Sequence, residues 1–516
     1  MPVGSAGESP SSRDPFVAVA ETHAAVVFAV GDLAYKLKKP VNLGFLDFST
    51  LSRRRAVCHD EVDLNRRLAP DVYLGVADVH GPDGAVCEHL VVMRRMPAGR
   101  RLATLVRSGA AVDDQVRRIA RLLAAFHAAA RRGPQVAAEG SRDAILGRWT
   151  DSFRQVRRFR GSVLDDALAG EVESRTNEFL AGREPLFAHR IAAGRIVDGH
   201  GDLLADDIFC LDDGPRVLDC IEFDDRLRWL DGLDDAAFLA MDLENLGAPR
   251  LASRFLDWYA EFAADPAPVS LRHHYVAYRA FVRAKVACLR YDQGDEPAAV
   301  DAGRHAALTA AHLRAGAVAL VLVGGLPGTG KSTLAGGVAD QLGAVLLATD
   351  RLRKELAGLP PEASAAAGYQ QGIYRPAWTE RTYSELLARA ETLLQLGESV
   401  VLDASWLRGA HRDLAARVAA RTHSTLVPLR CAAPAGLVAA RLARRPPGRS
   451  DAGTRIAAAM AADTEPWPQA TTVNTEAAPD RCVAQALALI RPQPQQYAEP
   501  LRQRRSWPVM NAHGPR

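Results

Sequence analysis

The stretch Val318-Ala-Leu-Val-Leu-Val-Gly, running into Gly325-Leu326-Pro327-Gly328-Thr329-Gly330-Lys331-Ser332-Thr333, decides how the second half of the chain is read. An apolar run of strand length stops at a pair of glycines. Residues 325–332 then fit GxxxxGK[ST] at every fixed position and open a helical pattern, the context that the motif needs. Glycines let the backbone wrap an anion, so that successive N–H groups and the helix N-terminus face a phosphate. Lys331 places a cation on the β- and γ-phosphates, and Ser332 offers a hydroxyl to Mg²⁺. The loop is therefore the expected ATP site.

Outward from this loop, residues 317–490 alternate strands and helices, the signature of a parallel sheet with right-handed crossovers. The expected strands are 318–323, 344–348, 399–402 and 425–429. The second ends at Thr349-Asp350, followed by Arg353 one helical turn later. Ligands sit at the carboxyl ends of such strands. Asp350 is thus placed to take a proton from a hydroxyl, or to cap the next helix, and Arg353 to hold an acceptor anion. The third strand ends in Asp403, a candidate for Mg²⁺ or its water shell. Beyond the fourth, Arg441, Arg444, Arg445 and Arg449 flank a Pro/Gly-rich loop. They read either as a lid that carries positive charge onto phosphates or as a solvated basic helix end. Together these parts resemble the zeta-toxin-like, gluconate-kinase-like and polynucleotide 5′-kinase branch of P-loop proteins. That resemblance implies phosphoryl transfer from ATP to a hydroxyl, with Asp350 as the base.

The first half turns on His200-Gly201-Asp202-Leu203-Leu204-Ala205-Asp206-Asp207, then a hairpin that ends at Asp219. Asp202 sits on a tight loop where it can take a proton. Asp207 and Asp219 flank the hairpin and can converge on one metal ion. Near the N-terminus, strands 26–30 and 33–38 with the turn Gly31-Asp32 make a hairpin, and 50–68 reads as a helix. Lys36 and Lys38 share one strand face. Glu61 falls on the helix stripe with Cys58, Asn65 and Leu68. It is placed to pair with Lys36, the favoured lysine, unless it is an ordinary solvated glutamate. Residues 91–93 read as a strand leading to an adenine-receiving hinge or as plain core.

These features resemble the aminoglycoside- and choline-phosphotransferase family, a protein-kinase-like fold. By position, the resemblance implies that Asp202 is the catalytic base and that Lys36 and Glu61 serve ATP. Asp207 and Asp219 become the metal ligands, and Asp235 a structural acid. The chain departs from the family where Leu204 replaces His and Asp207 replaces Asn. The whole resembles bacterial two-domain proteins that fuse an aminoglycoside phosphotransferase-like domain to a P-loop kinase domain. The expected architecture is an α+β bilobal domain at 16–292, a connecting helix at 293–316 and an α/β domain with a parallel sheet at 317–490. A disordered leader, 1–15, and tail, 491–516, complete it.

Composition narrows the function classes. The 516 residues are 48% hydrophobic and 24% charged, with 64 basic and 61 acidic side chains. Near-balanced charge argues against a nucleic-acid coat, while leaving a polynucleotide 5′-hydroxyl open as acceptor. No apolar run reaches the roughly eighteen residues of a membrane span. Seven scattered cysteines without a CxxC pair fit a reducing cytoplasm. Only six of the basic residues are lysine, among them Lys36, Lys38 and Lys331. The helical stretch 271–291 lines up Arg272, Arg279, Arg283 and Arg290, either for an anionic acceptor or as a solvated face paired with acids such as Asp242 and Glu244. The expectation is an ATP- and Mg²⁺-dependent phosphotransferase acting on a small hydroxyl compound. The alternatives are a nucleotide-binding regulator whose first half is a pseudokinase, and an aminoglycoside resistance kinase.

Overall fold

The computed structural model describes residues 17–21, 24–42, 46–360, 370–444 and 454–490. The expected leader, the expected tail, Arg445 and Arg449 lie outside the described residues. The chain divides into two compact units. The first runs to Val318 and takes in Glu391–Glu398 and Ala420–Ser424; the second holds the rest from Ala319 onward.

The first unit opens with an antiparallel sheet of β1 (Val17–Glu21), β2 (Ala25–Val30), β3 (Leu33–Lys38), β4 (Tyr73–His80) and β5 (Val86–Arg94), in the order β1-β2-β3-β5-β4. Gly31, at φ 57°, makes the two-residue turn of the expected hairpin. Helix α1 (Leu51–Asn65) starts where the Thr50 hydroxyl accepts the Arg53 N–H at 3.3 Å. Its Cys58 and Val62 pack on Ala34, Val91 and Met93, so 91–93 contributes to the core.

The second lobe of this unit is mainly helical: α2 (Leu102–Arg107), α3 (Asp113–Ala129), α4 (Pro134–Ala138), α5 (Arg142–Val156), α6 (Asp166–Ala181), α7 (Glu184–Ala192), α8 (Gly232–Asn245), α9 (Pro249–Phe262), α10 (Val269–Asp292) and α11 (Ala298–Ala315). Two small antiparallel pairs interrupt it, β6 (Ile196–Asp198) with β9 (Trp229–Asp231), and β7 (Ile208–Leu211) with β8 (Gly214–Val217). A buried ion cluster ties α7 to the start of α8 in this lobe. Arg190 of α7 chelates Asp231, with both bonds at 2.7 Å, and also both oxygens of Asp265. Asp231 in turn caps α8 by accepting the Leu233 N–H at 2.9 Å.

The second unit is a five-stranded parallel sheet in the order β11-β12-β10-β13-β14. Its strands are β10 (Ala319–Gly324), β11 (Val345–Ala348), β12 (Val400–Asp403), β13 (Thr425–Ala432) and β14 (Thr471–Asn474). Helices α12 (Lys331–Leu342), α13 (Thr349–Leu356), α14 (Pro376–Gln395), α15 (Gly409–Arg421), α16 (Ala435–Ala443), α17 (Thr454–Ala462) and α18 (Pro479–Ile490) connect and cover it. β10 is buried along its whole length, as a central parallel strand must be. The sequence pattern announces four strands. The fifth, β14, buries only Val473 of its four residues, so no apolar run marks it.

Arg190→Met leaves two carboxylates buried without their cation. We expect it to destabilise the first unit by about 3–5 kcal/mol, read as a lower urea midpoint for hydrogen exchange in α7 and α8.

Candidate functional site

The first unit assembles one charged site from its two lobes. Lys36 Nζ lies 2.9 Å from Glu61 Oε1 and 2.6 Å from Asp219 Oδ1. Glu61 is fully buried. Burial alone would raise its pKa; the lysines outweigh that and hold it low. The expected Lys36–Glu61 pair is therefore formed, and a solvated Glu61 is excluded. Lys38 joins the same cluster. Its Nζ is 2.6 Å from Glu61 Oε2 and also pairs with Glu222. Sequence reasoning weighed Lys36 against Lys38, whereas the fold uses both, one on each oxygen of Glu61. Glu222, three residues past Asp219, was missed because nothing in an acidic run names its partner.

The loop from His200 to Asp207 is held from behind. Asp235 Oδ2 accepts the His200 N–H at 2.7 Å and Asp235 Oδ1 the Gly201 N–H at 2.9 Å, while His127 Nε2 lies 3.0 Å from Oδ2. Asp235 is thus the structural acid that the resemblance implied. His200 is fully buried, and burial pushes its pKa down. Its neutral ring donates from Nε2 to the Leu218 carbonyl at 3.0 Å and accepts the Asp202 N–H at Nδ1, 3.3 Å away. Leu204 has no polar side chain to steady the loop. Backbone bonds do so instead, from Leu204 N–H to Asp202 O at 3.0 Å and from Asp207 N–H to Leu204 O at 3.1 Å.

Three carboxylates here feel one another's charge. Burial raises Asp202 to about 6, with Asp219 adding to the rise and Arg283 opposing it. Burial, then Asp219 and Asp202, push Asp207 well up. Asp219 goes the other way, to about 2, because Lys36 stands beside it. Asp219 adopts φ 65°, left-handed backbone that few side chains tolerate, Asn and Asp among them. Its N–H donates to Tyr73 Oη at 3.2 Å, and the next N–H, of Cys220, donates to Asn65 Oδ1 at 2.9 Å. Among the described residues no three His, Cys, Asp or Glu side chains form a closed metal cage. Mg²⁺ takes one or two carboxylates and completes its shell with water and phosphate oxygens. Asp207 and Asp219 are hard oxygen donors whose mutual repulsion a divalent cation would relieve, so the residues fit the ion.

The second unit carries the phosphate loop. Gly328 and Gly330 have φ of 85° and 86°. A Cβ at Gly328 would lie 2.9 Å from Val438 Cγ1 and 3.1 Å from Val438 O. The Thr329 hydroxyl donates to Leu326 O at 2.8 Å, and the Thr475 hydroxyl to Thr329 O at 2.6 Å. The loop stands open on a cavity of about 400 Å³ lined by Gly328, Gly330, Lys331, Ser332, Thr333 and Arg441. Gly325 lies beyond β10, and Leu326 and Pro327 complete the bend. Arg441 is tied back to Thr475 O at 2.7 Å. Thr475, just past the unannounced strand β14, was missed with it.

Strand register brings Asp403 beside Val323 and Ala348. Helix α13 begins at Thr349, whose hydroxyl donates to Asp403 O at 3.2 Å. Ala348 holds the capping position, so Asp350 sits inside the first turn and is not the cap. Arg353 Nη1 is 3.6 Å from Asp350 Oδ1, and its guanidinium lies 4.7 Å over the Tyr374 ring. Arg353 is 7% exposed, and its Nε has no hydrogen-bond partner among the described residues. Ser332 and Asp403 supply the oxygen donors that Mg²⁺ would need in this unit.

Curated relatives span almost the whole chain. The "Uncharacterized protein Rv2004c" of Mycobacterium tuberculosis is 44% identical over 488 residues, 95% of this chain and 98% of the relative. The "Uncharacterized protein Mb2027c" of Mycobacterium bovis matches to the same extent. The chain belongs to their family. Within it, residues 320–467 match the AAA domain family. Among solved structures, a sugar kinase from Janibacter sp. is 20% identical, covering 34% of this chain and 94% of its own, with a TM-score of 0.26. The GDP and kanamycin complex of APH(2")-IIia is 16% identical, covering 57% and 92%, with a TM-score of 0.38. The fold assignment rests on the strands, helices and side chains above: a protein-kinase-like first unit and a P-loop second unit.

This geometry carries two expected outcomes. Gly328→Ala forces a Cβ onto Val438 and a left-handed φ onto alanine, so nucleotide affinity of the second unit should fall at least tenfold by isothermal titration. In carboxyl NMR titrations without nucleotide, the signal lost in Asp202→Asn should titrate near 6. The group is then charged above that pH and neutral below it.

Proposed function

We propose that the chain is an ATP- and Mg²⁺-dependent phosphotransferase that moves a γ-phosphoryl group onto a hydroxyl of a small molecule. The observation that carries this reading is the open phosphate loop, with Lys331 and Ser332 lining a cavity of about 400 Å³ at the end of β10. The backbone N–H groups of the loop and Lys331 would bind the triphosphate and spread its developing charge. Asp350 is the candidate base of this unit, oriented by Arg353. Mg²⁺, when bound, supplies charge neutralisation between the β- and γ-phosphates.

The first unit keeps the parts of a second phosphotransfer site. Lys36, fixed by Glu61, would meet the phosphates. Asp202, near 6 and so mainly ionised at neutral pH, would take the acceptor's proton as its oxygen bonds to phosphorus and ADP leaves. The closed backbone of the Leu204 loop favours turnover over a purely regulatory pseudokinase. No described helix is long and apolar enough to cross a membrane, and a small-molecule acceptor in the cytoplasm is the reading proposed.

A screen of metabolite pools with labelled ATP tests this, comparing wild type with Lys331→Ala and Asp202→Asn. Each variant should lose about 100-fold or more of the transfer made by its own unit. If neither substitution changes any transfer, the proposal is wrong. If only Asp202→Asn is silent, the first unit is regulatory.

A further inference from the structure

Helix α10 carries four arginines, and three of them are engaged. Arg272 bonds Asp257 at 2.8 Å, Arg279 chelates Asp234 at 2.7 and 2.9 Å, and Arg290 pairs with Asp295. Arg283 is half-buried and makes no hydrogen bond or ion pair among the described residues. It lies one helical turn beyond Arg279 and on the same face. Arg279 also reaches the Gly201 carbonyl at 3.4 Å, so this face of α10 borders the loop that carries Asp202. From the other side, Asp242 of α8 holds that loop by accepting the Ala205 N–H at 2.9 Å. Arg283 therefore stands near Asp202 and Asp242 without pairing with either, and its charge is among those that lower both carboxyls.

The acids at the rim are already engaged: Asp206 with Arg107 at 3.3 Å, Asp234 with Arg279, and Asp242 with the Ala205 N–H. Among the described residues the carboxylates of Asp202 and Asp207 also stand without an ion pair, in the places proposed for proton transfer and for a metal, and the unpaired cation of this face is Arg283. On α11, His305 is 6% exposed, and its Nδ1 is buried without a hydrogen-bond partner. Burial, then the charge of Arg283, pushes its pKa down to about 4, so the ring is neutral and free to donate or accept. A half-buried guanidinium has five donors in a planar fork, matched to carboxylate and phosphate oxygens, and leaving them unmet is costly.

We infer that Arg283 anchors the acceptor of the first unit, and that this acceptor is a hydroxyl compound bearing a carboxylate or a phosphate. The inference rests on the reading of that unit as a phosphotransferase. In the reaction the acceptor oxygen bonds to the γ-phosphorus as the bond to the ADP oxygen breaks. The hydroxyl proton passes to Asp202, and the acceptor's own anionic group stays on Arg283 unreacted. A polycationic aminoglycoside would meet the same guanidinium as a repulsive charge.

The test uses the full chain carrying Lys331→Ala, which silences the second phosphate loop, saturated with a non-hydrolysable ATP analogue. Isothermal titration compares gluconate, glucose 6-phosphate, glucose and kanamycin. Gluconate or glucose 6-phosphate should bind at least tenfold tighter than glucose or kanamycin, and which of the two leads tells carboxylate from phosphate. Arg283→Ala and the milder Arg283→Gln should abolish that preference, and Arg283→Lys should restore part of it. Unchanged anion affinity in Arg283→Gln, a preference for glucose or kanamycin, or no anion binding overturns the inference. Anion binding that depends on Arg283, without phosphoryl transfer from ATP to any of the four, leaves the anion site standing and removes the phosphotransferase reading of this unit.

Discussion

A carboxylate removed from water must find its charge met by cations or N–H groups, and the first unit is organised by that constraint. Glu61 is the centre of it. Both of its oxygens are met by lysines from one strand, and each lysine reaches on to a further acid beyond the β7–β8 hairpin, Asp219 or Glu222. Helix α1, strand β3 and the segment 219–222 are thereby fixed to one another. Asp235 does the same for the loop that carries Asp202, where it gathers two backbone N–H groups and a histidine. Arg190 inverts the pattern, with one buried cation between two carboxylates. Each cluster joins elements far apart in sequence, so loss of one partner exposes a charge that the rest cannot shed.

The second unit depends on backbone geometry instead. Its phosphate loop is shaped by left-handed glycines and stapled by two threonine hydroxyls, with no buried ion pair at its heart among the described residues. Parallel register then delivers Asp403 and the start of α13 to the same end of the sheet as the loop. The two units thus fix their loops by different means, one through paired charges and the other through left-handed glycines and threonine hydroxyls.

The departures at Leu204 and Asp207 gain a physical meaning from this comparison. Backbone hydrogen bonds close the loop that lacks a histidine, so Leu204 removes a polar contact without opening the turn. Asp207 adds a carboxyl to a site already holding Asp202 and Asp219, and burial, then the charges of Asp219 and Asp202, push its pKa well up. A carboxylate in that place makes the site more dependent on a cation than an amide would.

The phosphate loop, the loop that carries Asp202, the pairing of Glu61 with a β3 lysine and the parallel sheet were all legible in the sequence. Each is local, or repeats with the period of one strand or helix. The strand β14 was not, because a short edge strand needs no apolar run. The helical placement of Asp350 was hidden too, since a strand end and a helix start read alike over two residues. Which arginine of α10 has no partner among the described residues, and how two lysines share one glutamate, are decided by contacts such as Lys36–Glu61 and Lys38–Glu222, 25 and 184 positions apart. Distance along the chain carries no information there about distance in space. The sequence by itself determined which chemical groups are present and on which local element each sits. Tertiary packing alone decided which charges meet, because burial sets what each must be paired with.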